Sequence, residues 1–296
     1  MNNISVVLTT YNGAEFIDKQ LESLIKQTLP FNELIICDDN SVDDTKSILA
    51  KYSSKDSRIK VFYNSQNIGF KANFEKALGL STGDYIALCD QDDIWHTNHL
   101  EILYRNIEDK MLVCGDAELI DGRGKKLNQR LSNIKNFEKE SENCQSIFRF
   151  IMYYQNPFQG ASMMLRKEFL SIALPIPYSV KYHDVWFGHL ACLMTSFKYV
   201  YEPITFYRMH GNNASGSHTK RNALITLLGH LFKKGLENNR REIIECLITK
   251  QINTEESIRQ LLIEAKSYYL CERTIANRMS NFFFELKNYN SIYGKL

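Results

Sequence analysis

The sequence predicts an α/β fold in which a mostly parallel central sheet is flanked by helices. Short apolar segments rich in β-branched residues alternate with amphipathic segments of about ten to fifteen residues through the first third of the chain. This alternation is typical of strand-helix-strand units, which build parallel sheets that are covered on both faces. Each predicted strand also ends in a polar turn, and in parallel sheets such turns collect at one edge, where ligands bind.

Strands and helices alternate clearly over the first 90 residues. Strands are predicted at 4–9, 33–37, 59–63 and 85–89, where apolar and β-branched residues run continuously between turn residues. Helices are predicted between them at 16–27, 43–52 and 70–80, because apolar residues recur there at helical spacing. Pro30 marks the break after the first helix.

The pattern continues less regularly to about residue 216. Further strands are predicted at 111–120, 160–165 and 197–207, the last with a bend or edge position at Pro203. Helices are predicted at 96–108, from 167 to the prolines at 175 and 177, and at 181–194. The segment 121–126 is a turn signal that closes a hairpin or surface excursion, and the polar residues 127–145 predict a loop or short helices.

A change of texture near residue 217 divides the chain into an α/β domain, 1–216, and a helical C-terminal extension, 217–296. Helices are predicted in the extension at about 219–234, 238–250 and 254–288. The first part contains 23 basic and 26 acidic residues and the extension 13 and 8, so the basic excess belongs to the extension. A packed appendage is the default interpretation. Docking on an anionic membrane surface and self-association remain open alternatives.

The composition also bears on the compartment. The seven cysteines are odd in number and widely spread, and no Cys-x-x-Cys pair occurs, which argues against a disulfide framework or a zinc site and favours a reducing compartment. We read no signal peptide in the first residues and no apolar stretch of about 18 residues. These features predict a cytoplasmic protein, with peripheral contact at the inner face of the plasma membrane left open.

An acidic stretch, Asp90-Gln91-Asp92-Asp93, follows the predicted strand 85–89 directly. In an extended segment Asp90 and Asp92 point to the same side while Gln91 points away. Carboxylates are hard oxygen ligands suited to Mg²⁺ or Mn²⁺, so the stretch predicts a site for a metal and a diphosphate. A solvated acidic turn is the plainer alternative.

Two more carboxylates, Asp38 and Asp39, follow the predicted strand 33–37. One of them is expected to cap the helix that begins near Asp43. The other lies at the same edge as Asp90, where it is suited to accept a hydrogen bond from the imide N–H of uracil or thymine. Tyr11, at the end of the first strand, is placed to stack on that base.

Together these motifs resemble family 2 of the nucleotide-sugar-dependent glycosyltransferases, which have the GT-A fold. The resemblance covers about the first 215 residues, in the family's order and spacing. It rests on Val7 to Gly13, Ile36 to Thr45, Asn67-Ile68-Gly69, Asp90 to Trp95, His183-Asp184 and Tyr207 to His210.

The resemblance implies roles for individual residues. Thr9, Tyr11 and Asp39 would hold the nucleotide base, and Asp90 would face the ribose or the metal region. Asp92 would bind the divalent metal, Mn or Mg.

Further family roles fall on residues outside the acidic stretch. His210 resembles a further metal or diphosphate ligand, and Arg208 beside it would meet phosphate oxygens. Many members carry an Arg-Asn pair in the helix after Asn67-Ile68-Gly69, whereas this chain has Ala72-Asn73, so the diphosphate contact is either missing or supplied by Lys71.

Asp184 resembles the family's catalytic base, which begins a helix that lines the acceptor site. A positioned carboxylate that removes the acceptor's proton contributes about 10² to 10⁴-fold to such a transfer. A helix cap is the alternative role. A single displacement inverts the anomeric carbon, and the sequence offers no second nucleophile for a retaining mechanism.

The sequence therefore predicts an inverting, metal-dependent transfer of one sugar from a nucleoside diphosphate to a glycan acceptor, plausibly lipid-linked, of a cell-surface polysaccharide pathway. The motifs look most like the bacterial rhamnosyltransferase branch, which makes dTDP-rhamnose the leading donor; a UDP-sugar is the alternative. The alternative function from a different class is a non-catalytic protein that binds nucleotide sugars. No nucleic-acid partner is expected. A nucleotidyltransferase would need a basic glycine-rich loop that Thr9 to Gly13 does not provide.

Overall fold

The computed structural model describes residues 3–135, 137, 143–153, 156–210, 236–250, 252 and 254–270. In this part of the chain nine strands form one sheet. The strands are β1 (Ile4–Thr10), β2 (Glu33–Asp38), β3 (Ile59–Tyr63), β4 (Tyr85–Cys89), β5 (Ile94–Trp95), β6 (Leu112–Asp121), β7 (Lys126–Arg130), β8 (Met163–Arg166) and β9 (Phe197–Met209).

The strand order is β3-β2-β1-β4-β8-β6-β9-β5, with β7 paired to β6 outside this path. The first four strands are parallel, β6 and β9 are parallel to each other, and β8, β5 and β7 pair antiparallel with their neighbours. The prediction of an α/β fold with a mostly parallel sheet is confirmed.

The sheet register sets the positions of the loops that matter most. Thr10 lies beside Asp38 across the β1–β2 ladder, and Leu8 lies beside Cys89 across the β1–β4 ladder. Since these strands run in the same direction, the turns that follow them leave the sheet at the same edge. The residues after Thr10, Asp38 and Cys89 are therefore neighbours.

Helices cover both faces of the sheet. They are α1 (Ile17–Ile25), α2 (Thr45–Ser53), α3 (Phe70–Leu80), α4 (His99–Ile107), α5 (Leu131–Ile134), α6 (Cys144–Tyr153), α7 (Leu170–Ala173), α8 (His183–Leu193), α9 (Leu236–Thr249) and α10 (Glu256–Leu270). Two short 3₁₀ turns precede β8 and α7. Through β4 the predicted elements match the observed ones to within three residues.

Three elements depart from the predictions. β5 lies just before the helix predicted at 96–108, where no strand was predicted; β7 extends from the predicted turn into the segment predicted as a loop or short helices; and α6 was not predicted. β5 has two residues and β7 is exposed throughout, so neither carries the apolar pattern of a buried strand. The hairpin at 121–126 is confirmed, and the β6–β9 register shifts beside Pro203, where a bend was predicted.

The two described helices of the C-terminal extension pack on the main core. Ile243, Ile244 and Leu247 of α9 belong to the same buried cluster as Trp186 of α8 and Leu165 of β8. Hydrogen bonds add to this contact, since the Nζ of Lys250 donates to the carbonyl of Ile172 at 2.6 Å. The predicted helix at 219–234 and the part of 254–288 beyond residue 270 lie outside the described residues. No helix in the described ranges combines the length and apolarity needed to cross a bilayer.

We predict that Ile244→Ala lowers the free energy of unfolding by roughly 2–5 kcal/mol, because a fully buried side chain leaves a cavity between α9 and the domain core. Urea unfolding measures the change. Glu245→Ala, an exposed neighbour on the same helix, is the control and should stay within about 0.5 kcal/mol of the parent. Equal stability of the two variants would contradict the packing of α9 on the core.

Candidate active site

A cavity of about 730 Å³ opens where the turns after β1, β2 and β4 meet the start of α8. Its wall includes seven of the sequence-predicted site residues, namely Thr9, Tyr11, Asp39, Asp90, Asp92, Asp184 and His210. Lys71 and Arg208 are not part of the wall. The cavity thus unites nucleotide, metal and base candidates that lie far apart in the chain.

The first and fourth strands are held together beyond their ends by the side chain of Gln91. Its Oε1 accepts a hydrogen bond from the backbone N–H of Tyr11 at 2.9 Å, and its Nε2 donates to the carbonyl of Tyr11 at 3.1 Å. A Cβ on Gly13 would lie 2.3 Å from the same Oε1, so a side chain there would displace the Gln91 amide from Tyr11. These two hydrogen bonds, the clasp between Gln91 and Tyr11, use only the backbone of Tyr11. Tyr11 itself is 47% exposed at the cavity wall.

The turns after β1 and β2 are locked to each other. Asn12 and Asn40 both have positive φ, 46° and 64°, a conformation that asparagine tolerates better than most residues. The backbone N–H of Asn12 donates to Ser41 Oγ at 2.9 Å, and the N–H of Val42 donates to Asn12 Oδ1 at 2.9 Å. The two turn signals of the sequence therefore form one interlocked edge.

Asp38 supports this edge from beneath. It is fully buried and accepts hydrogen bonds from the backbone N–H of Ser41 at 2.9 Å and from Thr10 Oγ1 at 2.9 Å. The expectation that Asp38 or Asp39 caps the next helix is wrong. The N-cap residue of α2 is Asp44, and the backbone N–H of Thr45, its first helical residue, donates to Asp43 Oδ1 at 3.1 Å.

Asp39 lies in the cavity wall with its carboxylate held by the start of α3. Its Oδ1 accepts from the backbone N–H of Ile68 and the Nδ2 of Asn64, both at 2.8 Å, and its Oδ2 accepts from the N–H of Gly69 at 2.9 Å. Gly69 has a φ of 85°, a backbone conformation that would be strained in a residue with a side chain. A carboxylate has about four acceptor positions, so Oδ2 retains one for a further donor.

Asp90 and Asp92 line the cavity, but Gln91 lines it as well. The expectation that Gln91 points away is wrong, because the chain bends at Gln91 and Asp92 instead of staying extended. Burial, together with the nearby Asp92 and Asp184 carboxylates, raises the pKa of Asp90 to about 8. His210 Nε2 lies 2.8 Å from Asp92 Oδ2, and the His210 ring stacks on Phe16 with 5.0 Å between ring centres. Asp92 and His210 therefore form a preassembled oxygen and nitrogen pair.

Arg208 does not reach the cavity, and this departs from its predicted role at the phosphates. It is only 1% exposed, and its Nε donates to the carbonyl of Asp92 at 2.7 Å while its Nη1 donates to the carbonyl of Gly122 at 3.1 Å. Its guanidinium carbon lies 4.9 Å from the centre of the Phe16 ring. Arg208 thus supports Asp92 and Phe16 from behind.

Lys71 also departs from its predicted role. Its Nζ donates to the carbonyls of Pro177, Tyr178 and Val180 at 3.1, 2.8 and 3.2 Å, which uses the three donors of the ammonium group. The side chain fastens the loop before α8 to α3. Lys71 is therefore no longer a candidate ligand of the diphosphate.

Asp184 lies in the first turn of α8 and lines the cavity. Its Oδ1 accepts from the backbone N–H of Val185 at 2.8 Å and its Oδ2 from Asn156 Nδ2 at 3.2 Å. Burial raises the pKa of Asp184 to about 6, although the two hydrogen bonds and Lys135 act in the opposite direction. Burial thus outweighs the stabilisation of an anion at a helix start.

Several wall residues were not predicted to be part of the site. They are Glu15, Phe16, Asn67, Phe70, Lys135, Asn156, Phe158, Gln159, Gly160, Tyr182 and His183, among others. Asn156, Gln159 and Gly160 come together in a polar stretch before β8, and a polar turn at a strand boundary is the only signal that marks them. Phe16 gives no signal, because in sequence it is simply an apolar residue at a helix start.

The profile of the family described as Glycosyl transferase family 2 matches residues 5–171. An uncharacterized glycosyltransferase of Haemophilus influenzae is 29% identical over 226 residues, 72% of this chain and 67% of that protein. The GalNAc(5)-diNAcBac-PP-undecaprenol beta-1,3-glucosyltransferase of Campylobacter jejuni is 26% identical over 81% of this chain and 76% of its own. The Escherichia coli UDP-Glc:alpha-D-GlcNAc-diphosphoundecaprenol beta-1,3-glucosyltransferase WfgD is 37% identical over 33% of this chain and only 38% of its own.

Solved structures share the fold. S. aureus TarS 1-349 in complex with UDP-GlcNAc has a TM-score of 0.62 at 19% identity, over 99% of this chain and 76% of the TarS 1-349 chain. The mannosyltransferase PcManGT from Pyrobaculum calidifontis, in complex with GDP-Man and Mn²⁺, has a TM-score of 0.57 at 16% identity, with the same coverage. The chain belongs to glycosyl transferase family 2, because the family profile covers more than half of it.

We predict that the stabilising effect of Asp184→Asn depends on pH. In the native protein the pKa of Asp184 is raised to about 6, whereas in the unfolded chain it is about 3.9. The native state therefore holds this proton more tightly, and wild-type stability declines as pH rises from about 4 to about 6. Asp184→Asn has no such carboxylate to titrate. Its free energy of unfolding, measured relative to that of wild type, should therefore increase by roughly 1–3 kcal/mol between pH 4 and pH 7.

Urea unfolding at a series of pH values measures this difference. Asp109→Asn, at a surface carboxylate far from the cavity, is the control and should show no such gain above pH 4. A difference between Asp184→Asn and wild type that stays constant from pH 4 to pH 7 would contradict the raised pKa.

Proposed function

We propose that this protein transfers a single sugar from a nucleoside diphosphate to a hydroxyl of a glycan acceptor, with inversion at the anomeric carbon. One observation carries the proposal: the carboxylates that follow β2 and β4 share one cavity with Asp184, a carboxylate whose pKa of about 6 suits a base near neutral pH. Membership of glycosyl transferase family 2 supports this reaction class.

The nucleotide is proposed to bind along the edge formed by the turns after β1 and β2. Asp39 retains one acceptor position on Oδ2, suited to the imide N–H that uracil and thymine share. The exposed Tyr11 ring is suited to stacking on the base, and Thr9 lies in the same wall. Asp90 then faces the ribose and the diphosphate.

A divalent metal, Mn or Mg, fits the pair formed by Asp92 and His210. Carboxylate oxygen and imidazole nitrogen are both accepted by Mn²⁺, and the two atoms already lie 2.8 Å apart. In the described ranges no three His, Cys, Asp or Glu side chains converge as a complete metal site, so the diphosphate would supply further ligands. When bound, the cation stabilises charge on the leaving diphosphate. The Mn²⁺ in the PcManGT complex is consistent with this role.

Asp184 is proposed to accept the proton of the attacking acceptor hydroxyl. Asn156 donates to its Oδ2 and the Val185 N–H to its Oδ1, which orients the carboxylate on the cavity wall. A single displacement by the acceptor hydroxyl is proposed, and one displacement inverts the anomeric carbon.

Two donors are proposed. The motifs around Asp92, Asp184 and His210 favour dTDP-rhamnose, whereas the names of WfgD and the complex of TarS favour a UDP-sugar. A lipid-linked acceptor of a cell-surface polysaccharide pathway is proposed, since WfgD and the C. jejuni relative are named for undecaprenol-linked acceptors. A screen of dTDP-rhamnose, UDP-glucose and UDP-N-acetylglucosamine for metal-dependent nucleotide release, with and without such an acceptor, tests these choices.

The extension at 217–296 is proposed as a second part of the chain beside the domain at 1–216. Its excess of basic residues suits the anionic inner face of the plasma membrane, where a lipid-linked acceptor would be met. Dimerisation through its helices is the competing proposal. Flotation with anionic vesicles and sedimentation in their absence distinguish the two.

We predict that Asp184→Asn lowers transfer by about 10² to 10⁴-fold while nucleotide affinity changes little, because the base acts on the acceptor. In the wild-type protein kcat/KM should fall tenfold per pH unit below about pH 6, as Asp184 takes up its proton. Asn156→Ala is the matched variant and should give a smaller loss, since it removes only one partner of the carboxylate. Unchanged turnover in Asp184→Asn would rule out Asp184 as the base. Absence of metal-dependent donor hydrolysis and of transfer in the wild-type protein would instead favour a non-catalytic nucleotide-sugar-binding protein.

We predict that Asp92→Ala removes the dependence of nucleotide affinity on Mn²⁺, because one of the two protein ligands is lost. Calorimetric titration with UDP and with dTDP, with and without Mn²⁺, measures the effect. Asp44→Ala, at an exposed carboxylate outside the cavity, serves as the control. The same Mn²⁺-dependent gain in Asp92→Ala and in wild type would defeat the metal assignment.

A further inference from the structure

Lys135 is the only lysine or arginine among the described residues of the cavity wall. The acidic residues of the same wall are Glu15, Asp39, Asp90, Asp92 and Asp184. A substrate that brings phosphate into this cavity adds negative charge beside these carboxyl groups, which costs free energy unless cations lie nearby. Since Arg208 and Lys71 donate to backbone carbonyls outside the wall, Lys135 is the cationic side chain that the described wall offers to a phosphate.

The backbone on both sides of Lys135 is anchored to the core. On one side, Ser132 donates hydrogen bonds from its backbone N–H and its Oγ to the buried carboxylate of Asp116, at 3.0 and 2.6 Å. On the other side, Phe137 is buried, and its ring centre lies 5.0 Å from that of Phe150. The N–H of Phe137 donates to the carbonyl of Ser132 at 2.9 Å, which closes the turn that contains Lys135. The half-buried Lys135 side chain is thus presented to the cavity from a turn that is fixed at both ends.

The charge of Lys135 acts on the side of the cavity that holds the proposed base. Burial raises the pKa of Asp184 to about 6, and the nearby charge of Lys135 acts in the opposite direction. Burial also raises the pKa of Asp90, but the charges that act on Asp90 are those of Asp92 and Asp184. Lys135 therefore lies closer to the carboxylate proposed for the acceptor than to the one proposed for the donor's ribose and diphosphate.

We propose that Lys135 binds a phosphate oxygen of the acceptor, and that it selects acceptors that carry a phosphate close to the attacking hydroxyl. This inference rests on the proposed transfer reaction. A lysine ammonium is a compact charge with three rotatable donors, which suits phosphate oxygens. A short glycan joined to a lipid through a diphosphate carries such a phosphate. The donor's own diphosphate is the competing source of phosphate, and the measurements below separate the two.

The test compares wild type with Lys135→Met, which removes the charge, and Lys135→Arg, which keeps it. Lys125→Met, at an exposed lysine outside the cavity wall, is the matched control. The acceptors are glucose, N-acetylglucosamine and N-acetylgalactosamine, each joined to one alkyl chain either through a diphosphate or by a direct glycosidic bond. Each is assayed with the three nucleotide sugars of the donor screen. Assays at about pH 8, above the pKa of about 6 for Asp184, keep the proposed base largely ionised in every variant.

Wild type should have a higher kcat/KM for a diphosphate acceptor than for its phosphate-free counterpart. Lys135→Met should lower kcat/KM for the diphosphate acceptor about 10- to 100-fold, the size expected for one lost hydrogen bond between charged groups, mainly through the acceptor KM. The phosphate-free acceptor should lose far less. Lys135→Arg should keep most of the wild-type preference, and Lys125→Met should keep all of it. Calorimetry with Mn²⁺ should give the same dissociation constants of UDP and dTDP for Lys135→Met and wild type.

Three results would overturn the assignment. The first is a wild-type enzyme that hydrolyses the donor but does not prefer the diphosphate acceptors, and this result needs no variant. The second is an equal loss for both kinds of acceptor in Lys135→Met, which would indicate a general effect on the base or the fold. The third is weaker binding of UDP and dTDP by Lys135→Met, which would move the contact to the donor's diphosphate. If wild type neither transfers the sugar nor hydrolyses the donor, the proposed function itself fails.

Discussion

The site depends on the buried carboxylate of Asp93. Its Oδ1 accepts a hydrogen bond from the backbone N–H of Arg208 at 3.0 Å, and its Oδ2 accepts from Gln159 Nε2 at 2.6 Å. Asp93 therefore joins the loop after β4 to the end of β9 and to the stretch before β8. Because Arg208 also holds the carbonyl of Asp92, the two neighbouring aspartates are fixed to the same strand end that carries His210.

This junction has an electrostatic consequence. Burial and the neighbouring Asp92 and Asp90 raise the pKa of Asp93 well above its usual range, and Asp90 is raised to about 8 for similar reasons. Several carboxylates are thus held together at a separation that favours their protonated forms. If the proposed cation binds beside Asp92, protons would have to leave this cluster, because carboxylates bind metals in their deprotonated form.

The sequence predicted the elements that build the carboxylate edge, because parallel strands have strong apolar patterns and end in turn residues. Thr9, Asp39, Asp90 and Asp184 were placed in one crevice by topology and by family resemblance, and the structure brings them together. The supporting residues were less predictable. Whether a cation such as Arg208 or Lys71 faces a cavity or a row of carbonyls depends on tertiary packing, which carries no local pattern.

The same limit applies to Asp93, which in sequence looks like a turn residue or a helix cap. Its burial is decided by β9, more than 100 residues further along the chain. His183 shows the opposite case. Its place before Asp184 is part of a motif, yet only the structure reveals that its nitrogens lack partners.

The clasp between Gln91 and Tyr11 limits how these loops can be rebuilt. Leu8 and Cys89 are partners in the β1–β4 ladder, and the two hydrogen bonds of the clasp join the loops that follow them, so both loop lengths up to the clasp are constrained. An insertion on either side would separate the two partners of the clasp and displace Asp90 and Asp92, which flank Gln91 in the chain. Changes of loop length for new donor specificity are therefore better made beyond Gly13.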